Sequence, residues 1–233
     1  MFGAASTRID TRQTAEAEIK AAGIGHLKLS ACAAALACTC LGTSAFAEQP
    51  NSPNAVTFLV GRGTDTDFTT IISQPWKTNF VDLTMLGVTY SYRLGTLNEL
   101  FDSDTLGYFG DHLMVEPEAG AAYRFGLESQ GEFWGSLYFR YDGLPWNDTI
   151  YTTLAINTGL SILTESSDFE RDRSDGDSSL VLHNFSPEIT FASPDYKDIE
   201  LVLRLHHRSG IFGTIDGVYS GSSFITTGLR VRF

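Results

Sequence analysis

Near the C-terminus the chain reads Asp198-Ile-Glu-Leu-Val-Leu-Arg-Leu-His-His-Arg-Ser-Gly210. Ile199, Leu201, Leu203 and Leu205 alternate with Glu200, Val202, Arg204 and His206, the period of a strand with one apolar side. By the same parity His207 and Ser209 lie on the leucine face. A serine hydroxyl is a weak nucleophile at neutral pH, and an adjacent imidazole can take its proton as it attacks an ester carbonyl. Side chains two residues apart share a strand face, so the pair is suited to acyl transfer without a metal. His206 and His207 point to opposite faces, and His112 and His183 stand isolated in the sequence. No cofactor is expected.

Seven further segments alternate in the same way or nearly so. They are Ala55–Arg62, Phe80–Leu94, His112–Gly126, Glu132–Tyr141, Ile150–Ile162, Ser179–Ala192 and Ser223–Phe233. Pro187 interrupts the sixth of the eight, since proline has no N–H to give to a ladder. The cleanest sets Ile150, Leu154, Ile156, Leu160 and Ile162 against Tyr151, Ala155, Asn157 and Ser161. Leu97, Leu100 and Phe101 have near-helical spacing, which predicts one short helix between 95 and 111. The stretch 63–79 reads as a polar loop. The stretch 165–177 reads as a charged, solvated loop.

The start of the chain carries an export layout. Arg8, Arg12, Lys20 and Lys28 precede an apolar run, Leu29–Leu41, and then Ala45-Phe46-Ala47. This predicts a signal peptide over 1–47, cleaved to leave a β-barrel domain over 48–233. Cys32, Cys38 and Cys40 all lie in the leader, so no disulfide is expected in the mature domain. The formal net charge of −12 argues against a nucleic-acid partner.

Charge and length choose the kind of barrel. Arg93, Glu116, Glu118, Arg124, Arg140, Glu200, Arg204, Arg230 and Arg232 all sit on the face opposite the apolar one. Several segments reach the roughly 9–11 residues that a tilted strand needs to cross a bilayer. An even strand count closes without an edge in lipid. The expectation is an all-β chain, an eight-stranded antiparallel up-and-down transmembrane β-barrel in the bacterial outer membrane, its bore filled by paired charges. Tyr90, Tyr92, Phe139 and Tyr141 are expected to form an interfacial girdle. The terminal Thr-Thr-Gly-Leu-Arg-Val-Arg-Phe233 resembles the C-terminal assembly signal of outer-membrane barrels, which implies the assembly machinery as a partner. With both termini in the periplasm, the seventh strand ends at the cell surface. His207 and Ser209 then face the acyl chains of the outer leaflet.

At these residues the chain resembles the lipid A 3-O-deacylase (PagL) family, whose motif is a His, one intervening residue and a Ser near the end of the penultimate strand. Here that is His207-Arg208-Ser209. The resemblance implies Ser209 as nucleophile, His207 as base, and the lipid A part of lipopolysaccharide as substrate. It therefore implies a carboxylic ester hydrolase that removes an ester-linked 3-hydroxyacyl chain. Where the family has Asn after the Ser, this chain has Gly210, so a backbone N–H of Ser209 or Gly210 is the expected oxyanion donor. The family's acid would fall among Gly221, Ser222 and Ser223, none of them a carboxylate, and Asp216 is the nearest acid after the pair. The alternative reading is a non-enzymatic small outer-membrane barrel with a structural or surface-interaction role.

Overall fold

The computed structural model describes residues 52–233. The expected leader, its cleavage site and the three cysteines lie outside the described residues. The ladder segments are β1 (Asn54–Thr64), β2 (Phe80–Tyr92), β3 (Gly95–Thr96), β4 (Leu113–Gly126), β5 (Gln130–Tyr141), β6 (Tyr151–Leu163), β7 (Val181–Phe185), β8 (Glu188–Ser193), β9 (Tyr196–Ser209) and β10 (Ser223–Arg232). β7 and β8 are one strand broken at Ser186-Pro187. β6 and β9 each pair with both halves. β3 is a stub on the start of β4. The rest is a closed ring of eight antiparallel strands, sealed where β10 pairs with both β9 and β1. All eight segments read from the alternation are present, and the break at Pro187 falls where the missing N–H requires it.

The two surfaces of the ring are inverted relative to a water-soluble protein. Leu154, Ile156, Leu160 and Ile162 of β6 stand 45–53% exposed on the outside, while Arg124, Arg140, Arg204, Arg208 and Arg230 are among the largest fully buried side chains. Isolated charges are almost never fully buried. Here they are paired. Glu188 binds Arg140, Arg204 and Arg230 at 2.7, 2.6 and 2.8 Å. Arg232 bridges Glu200 at 2.6 Å and Glu116 at 3.0 Å. Arg124 holds Glu132 at 2.6 Å. Trp134 fills space between them, donating Nε1–H to Glu118 at 3.0 Å. It lies over Gly120, where an added Cβ would come within 2.1 Å of the indole. The bore is thus packed with ion pairs rather than open. The apolar outer belt is the surface that a bilayer core requires.

The connections hold more helix than expected. Among the described residues four short helices occur, α1 (Phe68–Ser73), α2 (Leu97–Phe101), α3 (Gly107–Asp111) and α4 (Asp168–Arg173), with a 3-10 turn at Pro75–Lys77. The stretch 95–111 therefore carries two helices, not one. α2 starts on a reciprocal cap, Thr96 accepting from the Glu99 N–H while the Glu99 carboxylate accepts from the Thr96 N–H. The reading of 165–177 as solvated needs correction. Ser167 caps α4, and Glu170 turns inward to 0% exposure. It meets Arg208 at 3.0 Å and Arg124 at 3.4 Å, and accepts from the Ser222 hydroxyl at 2.6 Å. The guanidiniums of Arg208 and Arg124, at the mouth of the bore, draw it in. The start of β1 and the end of β10 lie together at the opposite, terminal end, where the Phe233 N–H donates to the Asn54 carbonyl at 3.0 Å. Tyr90 and Tyr92 are exposed near that end, and the Tyr90 hydroxyl donates to Asn54 at 2.7 Å.

Candidate functional site

The last turn of β9 runs beside the first residues of β10 at the end of the barrel distal to the termini. Register sets His207 opposite Ser223 on one side and opposite Phe185 of β7 on the other. Ser209 lies opposite His183. Alternation then puts His183, Phe185, His207, Ser209 and Ser223 on the outer face of the wall. His206 and Arg208 go into the bore. There His206 Nε2 lies 2.8 Å from Glu132 Oε1, and Arg208 meets Glu170 and donates to Ser161 Oγ at 3.0 Å. The inside–outside assignment of the His-His pair is as the leucine parity requires.

On the outer face, His207 Nδ1 is 2.9 Å from Ser223 Oγ. Among the described residues no hydrogen bond joins His207 to Ser209. The two expected partners share a face and a strand, but the imidazole's hydroxyl contact is across the hairpin. Ser209 is partly exposed, and Ser223 is 1% exposed. Phe68 of α1 lies against the imidazole, ring centres 4.7 Å apart, and against Phe185 at 5.6 Å. His183 stacks beside Phe185 and bonds through Nε2 with Thr158 Oγ1 at 3.0 Å. With Nδ1 engaged by a hydroxyl, Nε2 is the nitrogen of His207 left to exchange a proton with another group.

Asp216 does not reach this cluster. Its carboxylate accepts from the Ser179 hydroxyl at 2.6 Å, tying the 210–222 loop to the segment before β7. It stands in the left-handed region, as do Ile211 and Phe212. Gly210 has a steric reason to be glycine. An added Cβ would lie 2.0 Å from the Val218 carbonyl oxygen and 2.8 Å from that of Ile215, because the loop folds back over it. The Gly210 N–H donates to no carbonyl among the described residues, whereas its own carbonyl accepts from Ile215 at 2.9 Å. We expect Gly210→Ala to open the loop at a cost of about 1–3 kcal/mol. Limited proteolysis should then cut within 211–219 faster than in the wild type, and an unchanged rate would remove the steric account.

Ser223 was open to the parity argument, since it shares a face with Ile225, Leu229 and Val231, but its meeting with His207 needs the hairpin register. Phe68 carried no signal in the sequence. His112, isolated in the sequence, has a neighbour in space. Its Nδ1 is 2.7 Å from Asp142 Oδ1, and the Tyr151 hydroxyl donates to Asp142 Oδ2 at 2.9 Å. That cluster is at the terminal end. No group of three or more His, Cys, Asp or Glu converges as for a metal among the described residues.

No protein-family model and no curated protein matches the chain. Similar solved structures include the outer membrane enzyme PagL, 10% identical at a TM-score of 0.49, covering 77% of this chain and 99% of that one. Neisserial surface protein A (NspA) is 11% identical at 0.45, covering 77% and 97%. A de novo designed transmembrane β-barrel is 11% identical at 0.42, covering 80% and 99%. An enzyme, a surface protein and a design are matched about equally, and at these values none assigns the chain to a family.

Proposed function

We propose that this barrel resides in the bacterial outer membrane and is a carboxylic ester hydrolase acting on the lipid A part of lipopolysaccharide. It removes an ester-linked 3-hydroxyacyl chain. The observation that carries this reading is the imidazole of His207 on the outer wall, held at Nδ1 by a hydroxyl, with Ser209 on the same face at the same end of the barrel. A bilayer-embedded wall presents such groups to one kind of substrate, a lipid lying alongside. The C-terminal strand ending in Phe233 is the element that the outer-membrane assembly machinery would engage.

In this reading the Ser209 hydroxyl attacks the acyl carbonyl as its proton passes to His207 Nε2. The Gly210 N–H is the candidate donor to the oxyanion. Collapse breaks the acyl–oxygen bond, and the sugar alkoxide leaves with the proton from His207. Water, deprotonated by the same nitrogen, then releases the acyl group as a carboxylic acid and restores Ser209. No redox partner or metal enters the balance.

Expressed in a host with an unmodified outer membrane, the wild type should lower the mass of lipid A by one hydroxyacyl chain, and Ser209→Ala should leave it intact. Mass spectrometry of extracted lipid A decides. A correctly inserted wild type that leaves lipid A unchanged across hosts of different acyl length would return the chain to the non-enzymatic reading.

A further inference from the structure

We infer that Ser223 is the positioning residue of the site, a hydroxyl that takes the orienting place beside His207 that an acid fills in Ser-His-Asp sites. The inference rests on the hydrolase reading and names a part of it. Three observations carry it. The Ser223 Oγ to His207 Nδ1 distance of 2.9 Å is that of a formed hydrogen bond. The pairing of His207 with Ser223 is fixed by nine consecutive β9–β10 partners, so the contact belongs to the ladder and not to a mobile loop. The only acid in the 210–222 loop, Asp216, is engaged elsewhere by Ser179.

The tautomer follows from the chemistry. A serine oxygen accepts a hydrogen bond as readily as it donates one. When Ser223 accepts from Nδ1–H, the ring proton is fixed on that nitrogen and the lone pair stands on Nε2, the form a general base must have. The same 2.9 Å contact would also suit a nucleophile on its base. Burial separates the two roles. At 1% exposure Ser223 has no room for an acyl carbonyl, whereas Ser209 is partly exposed on the same face. A neutral hydroxyl cannot stabilise the imidazolium as a carboxylate does, so the expected enzyme is slower than one with an acid at this place.

The test uses full-length protein, purified from membranes or refolded, with heat-shifted gel mobility as the check on folding. Ser223→Ala should lower kcat by about tenfold to a hundredfold with KM little changed, part of the general-base contribution. Ser223→Thr keeps the hydroxyl and should restore most of the rate. It also serves where the alanine variant fails to fold. Nitrogen-15 NMR of labelled histidine, with His207 assigned by His207→Ala, should show Nδ1–H as the dominant tautomer in the wild type and a mixture in Ser223→Ala. Ser209 Oγ should attack the phosphorus of an alkyl fluorophosphonate, forming a P–O bond as the P–F bond breaks and fluoride leaves with the serine proton, and peptide mapping should place the adduct there. An adduct on Ser223, or unaltered kcat and tautomer in folded Ser223→Ala, would overturn the inference. A wild type phosphonylated at Ser209 but inert to lipid A would sink the substrate assignment and leave Ser223 in its role.

Discussion

Glu188→Ala is expected to prevent the barrel from forming a heat-resistant folded state. One carboxylate meets three guanidiniums, those of Arg140, Arg204 and Arg230, and all four side chains are at most 1% exposed. Each arginine keeps one further acid, Glu116 at 2.9 Å, Glu118 at 2.8 Å and Glu200 at 3.2 Å. The remaining acids then face an excess of buried positive charge. Removing one member of a buried ion network costs about 3–5 kcal/mol, against a total stability of roughly 5–15 kcal/mol for a domain. Glu188→Gln keeps an acceptor and should fall between. Asp168→Ala is the contrast. Its pair with Arg171 is 2.5 Å long but 84% and 42% exposed, and exposed pairs contribute about 0–1 kcal/mol. Urea unfolding in detergent micelles ranks the three. A Glu188→Ala midpoint equal to the wild type would mean that water, and not Glu188, compensates the three arginines.

The second large effect separates two adjacent histidines. His207→Ala should lose about a thousandfold or more of lipid A hydrolysis, because nucleophile and base act as a unit. It should leave unfolding nearly unchanged. His206→Ala should do the reverse. Its ring sits 2.8 Å from Glu132 and against Trp134 at 4.8 Å in the bore. Stability should drop while activity per folded molecule persists. The paired assay is lipid A turnover normalised to the heat-shifted fraction. If His206→Ala is inactive and His207→Ala is active, the chemistry is not on the outer face of β9, and the proposed substrate goes with it.

Period two made most of this fold readable. Between Ile150 and Ile162 the sequence states which side chains face out, and the barrel repeats that statement. The charges on the opposite face were readable as a filled bore. Their pairing was not, since Arg230 finds Glu188 from 42 residues away and Arg204 finds Glu118 from 86. Such distances are set by ring closure, which no local window contains. Glu170 was misread for a related reason. The run Asp168-Phe-Glu-Arg-Asp-Arg173 has the composition of a solvated helix, and only Arg208 and Arg124, brought to the mouth by the ring, make one of its carboxylates an interior group. The Asp216–Ser179 contact was not legible because left-handed turns, not sequence distance, decide where a loop carboxylate points. For His207 the face was legible from the leucines, but the partner required the length of the hairpin.

Arg208 stands between His207 and Ser209 in sequence, and it points the other way. Its guanidinium is fastened in the bore by Glu170, by Ser161 and by the Ser179 carbonyl at 3.1 Å. A wall one strand thick has no depth in which to hide the scaffolding of a surface site, so the anchorage of this pair is reached from the lumen, not from the lipid. The stiffness of the strip that carries His207 and Ser209 and the outer surface it offers to lipid can therefore vary independently. Substitutions at Arg208 or Glu170 alter how firmly the strip is held without changing one atom that a lipid meets. Substitutions at Phe68 or Phe185 alter what the lipid meets and leave the fastening as it was.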